Sequence, residues 1–274
     1  MPQLGRLETT FEEPFLSQFI ALITAGAGSQ DIHDAPECIG YAQASDRDSR
    51  LVRNEIERAE CHSRNICRYI PDMSPRRILD VGCGTGALSV ALALAFPAAQ
   101  VEAFDTDPSS IEAGRIRIAG YGLSDRVNLR TVPAHQPFPF TGGSFDLVAC
   151  TSVIEFITQG NNRKQFLAEM QRVVCAGGRI VITTPNAFYP RELHTGRPFQ
   201  NWLRRPGYPW ASTRSWIHRQ LDCCDVHSQP ARVVDKFQRR YGRPIPAAIA
   251  RCIEPLMPWQ FIVARRRADH HALQ

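Results

Sequence analysis

The hydrophobic rhythm of the chain changes near residue 76. Before that point apolar residues recur at helical spacing and no strand pattern stands out. Phe15, Phe19 and Ile20 or Leu22 share one side of a helix over Phe15–Ala27. Leu51, Ile56, Ala59 and Ile66 punctuate a long polar segment, Ser45–Tyr69, and Pro71 follows its end. From Arg77 onward, short apolar runs alternate with helix patterns. Arg77–Gly82 reads as a strand ending in glycines, Ala87–Phe96 as a helix stopped by Pro97, and Gln100–Phe104 as a second strand. A second helix opens at Pro108 with Asp107 as its cap. Val127–Val132 and Phe145–Cys150 are the third and fourth strands. A helix from about Arg163 to Cys175, ended by Gly177-Gly178, leads to a fifth at Arg179–Thr184. Cys224–His227 and Gln260–Ala264 are two further strand candidates. Strands and helices in this alternation predict an α/β fold with a parallel, doubly wound sheet.

Composition supports a globular chain. Of 274 residues, 43% are hydrophobic and 22% charged, which excludes collagen-like, coiled-coil and disordered classes. A chain of this length buries enough surface to fold without disulfides or metal. None of its nine cysteines stands in a C-x-x-C pair, so free thiols in a reducing cytosol are expected and no metal site. No run approaches the roughly 20 apolar residues of a membrane span. Arg6 faces Glu8, Glu12 and Glu13 ahead of the first apolar stretch, the wrong sign for an export signal, and a cytoplasmic protein is expected. The net charge of +5 is local. Ala187–Leu221 holds six arginines (Arg191, Arg197, Arg204, Arg205, Arg214 and Arg219) against Glu192 alone, and three of the four tryptophans, Trp202, Trp210 and Trp216.

The sharpest chemical signal is Ile78-Leu-Asp-Val-Gly-Cys-Gly-Thr-Gly86, a strand running into a glycine turn that opens a helix. Gly82-x-Gly84-x-x-Ala87, with Asp105 placed to hold a ribose hydroxyl, also satisfies a dinucleotide fingerprint. Asp80 separates the two readings. A carboxylate at the strand's end, facing the crevice, repels a pyrophosphate and attracts the ammonium and sulfonium of S-adenosylmethionine.

At these residues the chain resembles the class I S-adenosylmethionine-dependent methyltransferases, in particular their small-molecule branch of ubiquinone-biosynthesis type. Asp80-Val-Gly-Cys-Gly-Thr-Gly86 is similar to the family's first motif, and Asp105 to its ribose-binding acid. Gly143-Ser-Phe-Asp-Leu-Val148 resembles its strand-four signature, and Arg172-Val-Val-Cys-Ala-Gly-Gly-Arg179 its arginine-to-glycine turn. Thr184-Pro-Asn186 recurs after strand five in that branch. The resemblance spans Arg77 to Asn186. It implies a Rossmann-like sheet of seven mostly parallel strands, with N-terminal helices and an insertion after strand five. The organisation expected is an N-terminal helical segment over 1–75, a cofactor-binding core over 76–186, a basic, aromatic substrate lid over 187–221, the rest of the core over 222–267, and a tail over 268–274. The resemblance further implies cofactor contacts from Asp80, Gly82, Cys83, Gly84 and Gly86, and from Asp105, Thr106 and Thr151. Where the family carries an adenine-reading Asp, this chain has Ala134 with His135 beside it, so adenine would rest on backbone groups and apolar contacts. The family's Glu-His pair appears as Glu155-Phe156, and no histidine base carries over there.

Three residues are candidates for catalysis. Glu155 could act as general base, but Ser152-x-x-Glu155 is also a capping box, and the cap is the preferred reading. His135 could polarise an acceptor or touch adenine. His194, like His218, could deprotonate a phenol, and each also reads as a surface residue. Cys223-Cys224 near His227 offers too few ligands for a metal. Arg265-Arg-Arg267 reads as a solvated terminus.

Methyl transfer from a sulfonium is an in-line displacement governed by positioning, and it needs a base only for a hydroxyl or carbon acid. Strand four runs into Thr151-Ser-Val-Ile154, not an Asn/Asp-Pro-Pro-aromatic loop, and Cys150 follows Ala149, not Pro. Both facts argue against a nucleic-acid substrate. The arginines, tryptophans, Tyr189 and Tyr208 of 187–221 suit a small acceptor with an aromatic or apolar body and an acidic group. Two alternatives stay open. A nicotinamide-dependent oxidoreductase is disfavoured by Asp80 and by the lack of a Tyr-x-x-x-Lys pair, since the only lysines are Lys164 and Lys236. The other is a protein that binds S-adenosylmethionine without turnover.

Overall fold

Arg77–Val81, buried at every position after the first, forms β1, and its apolar run is what a strand covered on both faces requires. The computed structural model describes residues 59, 61–157, 160–191, 193, 198, 199, 202 and 211–268. The expected helix over Phe15–Ala27, most of the segment Ser45–Tyr69, and His194, Arg197, Arg204, Arg205, Tyr208 and Trp210 lie outside the described residues. The chain divides into two compact units, Met1–Pro139 and Phe140–Gln274.

In the first unit β1 pairs in parallel with β2 (Gln100–Asp105), and β2 with β3 (Val127–Thr131). Helix α1 (Ala87–Ala95) is apolar all round, hence almost wholly buried, and it stops before Pro97 as the sequence predicts. Helix α2 (Pro108–Gly120) starts as expected: the Asp107 carboxylate accepts from the Ser109 and Ser110 amides at 3.2 and 3.0 Å, with Pro108 in the first turn. Residues 61–69 are helical, and Ser63 Oγ donates to the Ala91 carbonyl at 3.2 Å, fastening that segment to α1.

The second unit contains β4 (Phe145–Thr151), α3 (Gly160–Val173), β5 (Val174–Pro185), α4 (Arg214–Gln220), β6 (Cys224–His227), α5 (Pro230–Tyr241), α6 (Ala247–Ile253) and β7 (Trp259–Arg266). β4 and β5 are parallel, while β7 runs antiparallel to both β5 and β6. The first unit holds three strands and the second four, seven in all, in the alternation of a mixed, Rossmann-like fold.

Two local expectations are corrected. The helix before β5 ends at Val173, and Gly177-Gly178 is not its stop: β5 begins at Val174 and carries those glycines within it. The pairing register jumps from Phe145↔Val174 to Leu147↔Arg179, so two steps on β4 match five on β5 and residues 175–178 bulge out. Gly178 permits this. A Cβ there would lie 2.8 Å from Val174 Cγ2, 2.9 Å from the Cys175 carbonyl and 3.0 Å from that of Asp146. Nor is Arg265–Arg267 merely a solvated terminus. Arg266 lies in β7, and its guanidinium donates to the carbonyls of Gln171 (2.9 Å), Arg172 (3.1 Å) and Val174. It therefore adds donors to carbonyls at the end of α3 and the start of β5.

Candidate active site

The turn after β1 is folded by its own backbone. The amides of Gly82 and Cys83 both donate to the Phe104 carbonyl, at 2.9 and 3.0 Å, and the Gly86 amide donates to the Cys83 carbonyl at 2.9 Å. Three left-handed residues in five make this possible: Gly82, Gly84 and Gly86 have φ of 69°, 51° and 73°. A Cβ on Gly84 would meet nothing within 4 Å, so the loop leaves open space at its tip for a ligand to approach the backbone. Gly86 caps α1 without a side-chain partner. Cys83 is buried, its thiol turned to the Gly84 carbonyl at 3.6 Å.

Asp105, at the end of β2 and only partly exposed, is locked to this loop. Its Oδ2 accepts from the Gly84 amide at 2.8 Å and its Oδ1 from the Asp107 amide at 3.1 Å. Each oxygen keeps a lone pair that could accept from a ribose hydroxyl. Asp80 is not open to a crevice as the sequence suggested: it is 1% exposed beneath the loop, where Ser89 Oγ donates to its Oδ2 at 2.6 Å. Burial pushes the Asp80 carboxyl up to about 7, opposed by the Ser89 hydroxyl and reinforced by the Asp105 charge. Asp105 is likewise raised, first by burial, against the amides of Asp107, Gly84 and Thr106. Once ionised, two carboxylates at one turn attract a cationic ligand and repel a pyrophosphate, and this acceptor set fits S-adenosylmethionine.

The other predicted positions are placed as follows. Thr106 is exposed after β2, and Ala134 and His135 are exposed in the turn after β3, His135 at φ 65°. The parallel register Phe104↔Arg130 and Asp105↔Thr131 brings the ends of β2 and β3 to one edge. Thr151 ends β4 in the second unit, half-buried and opposite Thr183. Among the described residues no group of three His, Cys, Asp or Glu could hold a metal.

Glu155 requires a correction. The 3-10 turn Ile154–Phe156 is capped by Val153 with no side-chain bond, so the capping box does not form, and Ser152 sits at φ 57°. Glu155 is instead fully buried, and its Oε2 accepts from Thr184 Oγ1 at 3.0 Å. Its charge supports the buried Arg163, whose guanidinium is lowered by burial and raised by Glu155. Arg163 donates to Ser212 Oγ (2.6 Å) and to the Ile157 carbonyl (2.9 and 2.6 Å), and it lies over the Trp216 ring at 5.8 Å. Gln260 joins from β7, donating to the carbonyls of Ser212 (2.6 Å) and Pro185 (3.0 Å). Glu155→Gln should therefore cost about 3 kcal/mol of stability by removing the charge that compensates Arg163. Thermal melting should show that loss, while calorimetric titration of the cofactor product should be unchanged.

Sequence reading missed the residues that hold the loop from behind. Arg117 is fully buried and donates to the Thr85 carbonyl (2.9 Å) and hydroxyl (2.6 Å) from 32 positions away. Gly114, one turn earlier, brings α2 close enough that a Cβ would lie 3.3 Å from the Thr85 backbone and 2.5 Å from Leu129 Cδ1. The available signal was an arginine on the stripe Ile111, Gly114, Ile118, the buried face of α2. In the basic stretch, α4 carries Arg214, Trp216 and His218, and its Ile217, with Leu221 after it, is buried. Burial lowers the His218 imidazole, helped by the neighbouring Arg214 and opposed by Glu254, and Arg214 Nε lies 3.1 Å from its Nε2.

A strand, a left-handed glycine turn, a helix and a carboxylate at the end of the next strand define a known class of domain, and the comparison with protein families agrees. Residues 79–182 match the family described as Methyltransferase domain, and that segment has the strand, glycine turn and carboxylate of the class I S-adenosylmethionine-dependent methyltransferases. Among relatives, a probable tocopherol O-methyltransferase of Oryza sativa subsp. japonica is 37% identical over 119 residues, 42% of this chain and 31% of that protein. The ubiquinone/menaquinone biosynthesis C-methyltransferase UbiE of Geobacter sp. (strain M21) is 36% identical over 122 residues, 43% of this chain and 50% of that one. This chain thus spans half or less of the length of these relatives. Among solved structures, geranyl diphosphate methyltransferase in complex with SAM has the same fold, with a TM-score of 0.50 at 19% identity over 89% of this chain and 94% of that one.

Proposed function

We propose that this chain transfers a methyl group from S-adenosylmethionine to a small molecule with an aromatic or apolar body and an acidic group, acting in the cytoplasm and not on nucleic acid. The observation that carries the reading is the junction of Gly84 and Asp105, where an open glycine tip and a ribose-competent carboxylate meet at 2.8 Å. When bound, the cofactor supplies an electrophilic methyl on a sulfonium. The residues of the chain hold and orient it. Gly82, Cys83, Gly84 and Gly86 line the methionine side, Asp105 and Thr106 take the ribose, and Ala134 and His135 flank the adenine. Asp80 adds negative potential from below, and Thr151 is assigned a further contact.

For the acceptor, the reading rests on the segment after β5. Phe188, Phe199 and Trp202 are 59%, 50% and 55% exposed, an unusual density of large apolar surface. The Trp202 indole donates to the Ala187 carbonyl at 3.1 Å, and the Phe199 and Trp202 rings meet at 5.1 Å. With the arginines of 187–221, these rings would receive a flat or apolar acceptor that carries an anion. Of the two relatives above, one is named for tocopherol and the other for ubiquinone and menaquinone biosynthesis, and those compounds are of the apolar kind. His135 is the exposed titratable group assigned to proton removal where the acceptor needs it, while the buried Glu155 acts through Arg163.

Calorimetric titration with S-adenosylhomocysteine and with NAD tests the cofactor, and a panel of apolar acids and neutral analogues with methyl-labelled cofactor tests the acceptor. Binding of the first ligand alone and label transfer to the acidic members are expected. Binding of NAD alone, or transfer only to neutral compounds, overturns the corresponding half.

A further inference from the structure

The hairpin of α5 and α6 has features that methyl transfer leaves unused. From Pro230 to Met257 it carries six basic residues (Arg232, Lys236, Arg239, Arg240, Arg243 and Arg251) against Asp235 and Glu254, so 6 − 2 = +4. Glu254 is engaged elsewhere, 2.8 Å from Arg214 and accepting from the Gln229 amide at 2.7 Å. Arg232 also turns toward the sheet, donating to the Trp259 carbonyl at 3.2 Å and lying 5.3 Å from the Phe261 ring centroid. The other cations face outward: Lys236, Arg239, Arg240, Arg243 and Arg251 are exposed. Partial burial first, and then repulsion from Arg232 and Arg239, hold the Lys236 amine below its ordinary value.

Large apolar side chains are left in water on the same hairpin. Tyr241 is 67% exposed, Ile249 49% and Leu256 65%. The fold itself uses little of either helix, since Val233 is the buried residue of α5 and Ala250 that of α6. The Phe237 and Tyr241 rings meet at 5.4 Å, so the exposed tyrosine continues an apolar edge from the half-buried phenylalanine. Crowded positive charge calls for an anionic partner. The exposed aliphatic groups call for an apolar phase beside that charge, which a nucleic-acid backbone does not offer.

We propose that this hairpin docks the protein on an anionic phospholipid surface, with Arg239, Arg240, Arg243 and Arg251 among the headgroup phosphates and Tyr241, Ile249 and Leu256 at the acyl boundary. The inference goes beyond methyl transfer and does not depend on it. Such a surface holds a protein by adding electrostatic attraction to buried apolar area, so binding needs both and weakens with salt.

The test is co-sedimentation of the full chain with phosphatidylcholine vesicles, with and without phosphatidylglycerol. Binding to the anionic vesicles, at least about tenfold tighter than to neutral ones and reversed by salt, is expected. Combining Arg239→Glu, Arg240→Glu and Arg243→Glu should reduce it by about tenfold or more at an unchanged melting temperature. Ile249→Ser with Leu256→Ser should weaken it while the salt dependence persists. Equal binding to neutral vesicles, or no binding to either, overturns the proposal. So does tighter binding of duplex DNA that the charge reversals abolish, or self-association that the two serines abolish while vesicle binding stays intact.

Discussion

Asp105→Ala is expected to weaken cofactor binding by about 1.5–3 kcal/mol, roughly ten- to a hundredfold in Kd, because a charged acceptor for the ribose hydroxyls disappears. The loss has a second source in this fold. The Asp105 carboxylate also fixes the Gly84 amide at 2.8 Å and the Asp107 amide at 3.1 Å, so its removal frees the tip of the glycine turn. Asp105→Asn separates the two effects. The asparagine oxygen can still accept from Gly84 but brings no charge to the ribose, so its affinity should fall between wild type and alanine. Titration with S-adenosylhomocysteine, alongside thermal melting to confirm the fold, measures both variants. Wild-type affinity in the alanine protein would remove the ribose assignment.

The second large effect is a pH dependence centred on Asp80. Burial pushes its carboxyl up to about 7 in the folded chain, against a value near 4 when unfolded. The folded state therefore holds a proton that the unfolded state has released between these two values. Stability from this group is fully present below about pH 4 and is lost as pH rises through about 7. A cationic ligand has the opposite preference, because it is attracted only to the ionised carboxylate. S-adenosylmethionine should bind more tightly as pH rises from about 6 to about 8, and adenosine should not. Asp80→Asn keeps an acceptor for the Ser89 hydroxyl, so it should melt above wild type at pH 8 and flatten the stability slope. It should also lose about tenfold or more in S-adenosylmethionine affinity at that pH. Equal losses for the cofactor and for adenosine would mean that the amide had disturbed the loop.

The chain's local chemistry was legible without coordinates. Pro97 ends α1, Asp107 caps α2 with Pro108 behind it, and β1, β2, β3 and β4 fall within a residue of where their apolar runs place them. These features depend on residues a few positions apart, so a linear pattern contains them. The glycine turn and Asp105 were legible for the same reason, since each sits at the end of a strand whose boundary the sequence marks. Which faces meet is another matter, and only the tertiary structure decided it. Gly177-Gly178 looks like a helix stop until β5 is seen pairing with β4 from Val174 and Gly178 is found packed against Asp146. Ser152-x-x-Glu155 looks like a cap until Thr184 is found donating to the buried glutamate, whose charge acts on Arg163. Arg117, 32 residues from Thr85, and Arg266, more than 90 from the end of α3, carry no local signature of what they hold. A buried charge is stabilised by whichever dipoles the fold brings to it, and that set is fixed by packing across the sheet, not by neighbours along the chain.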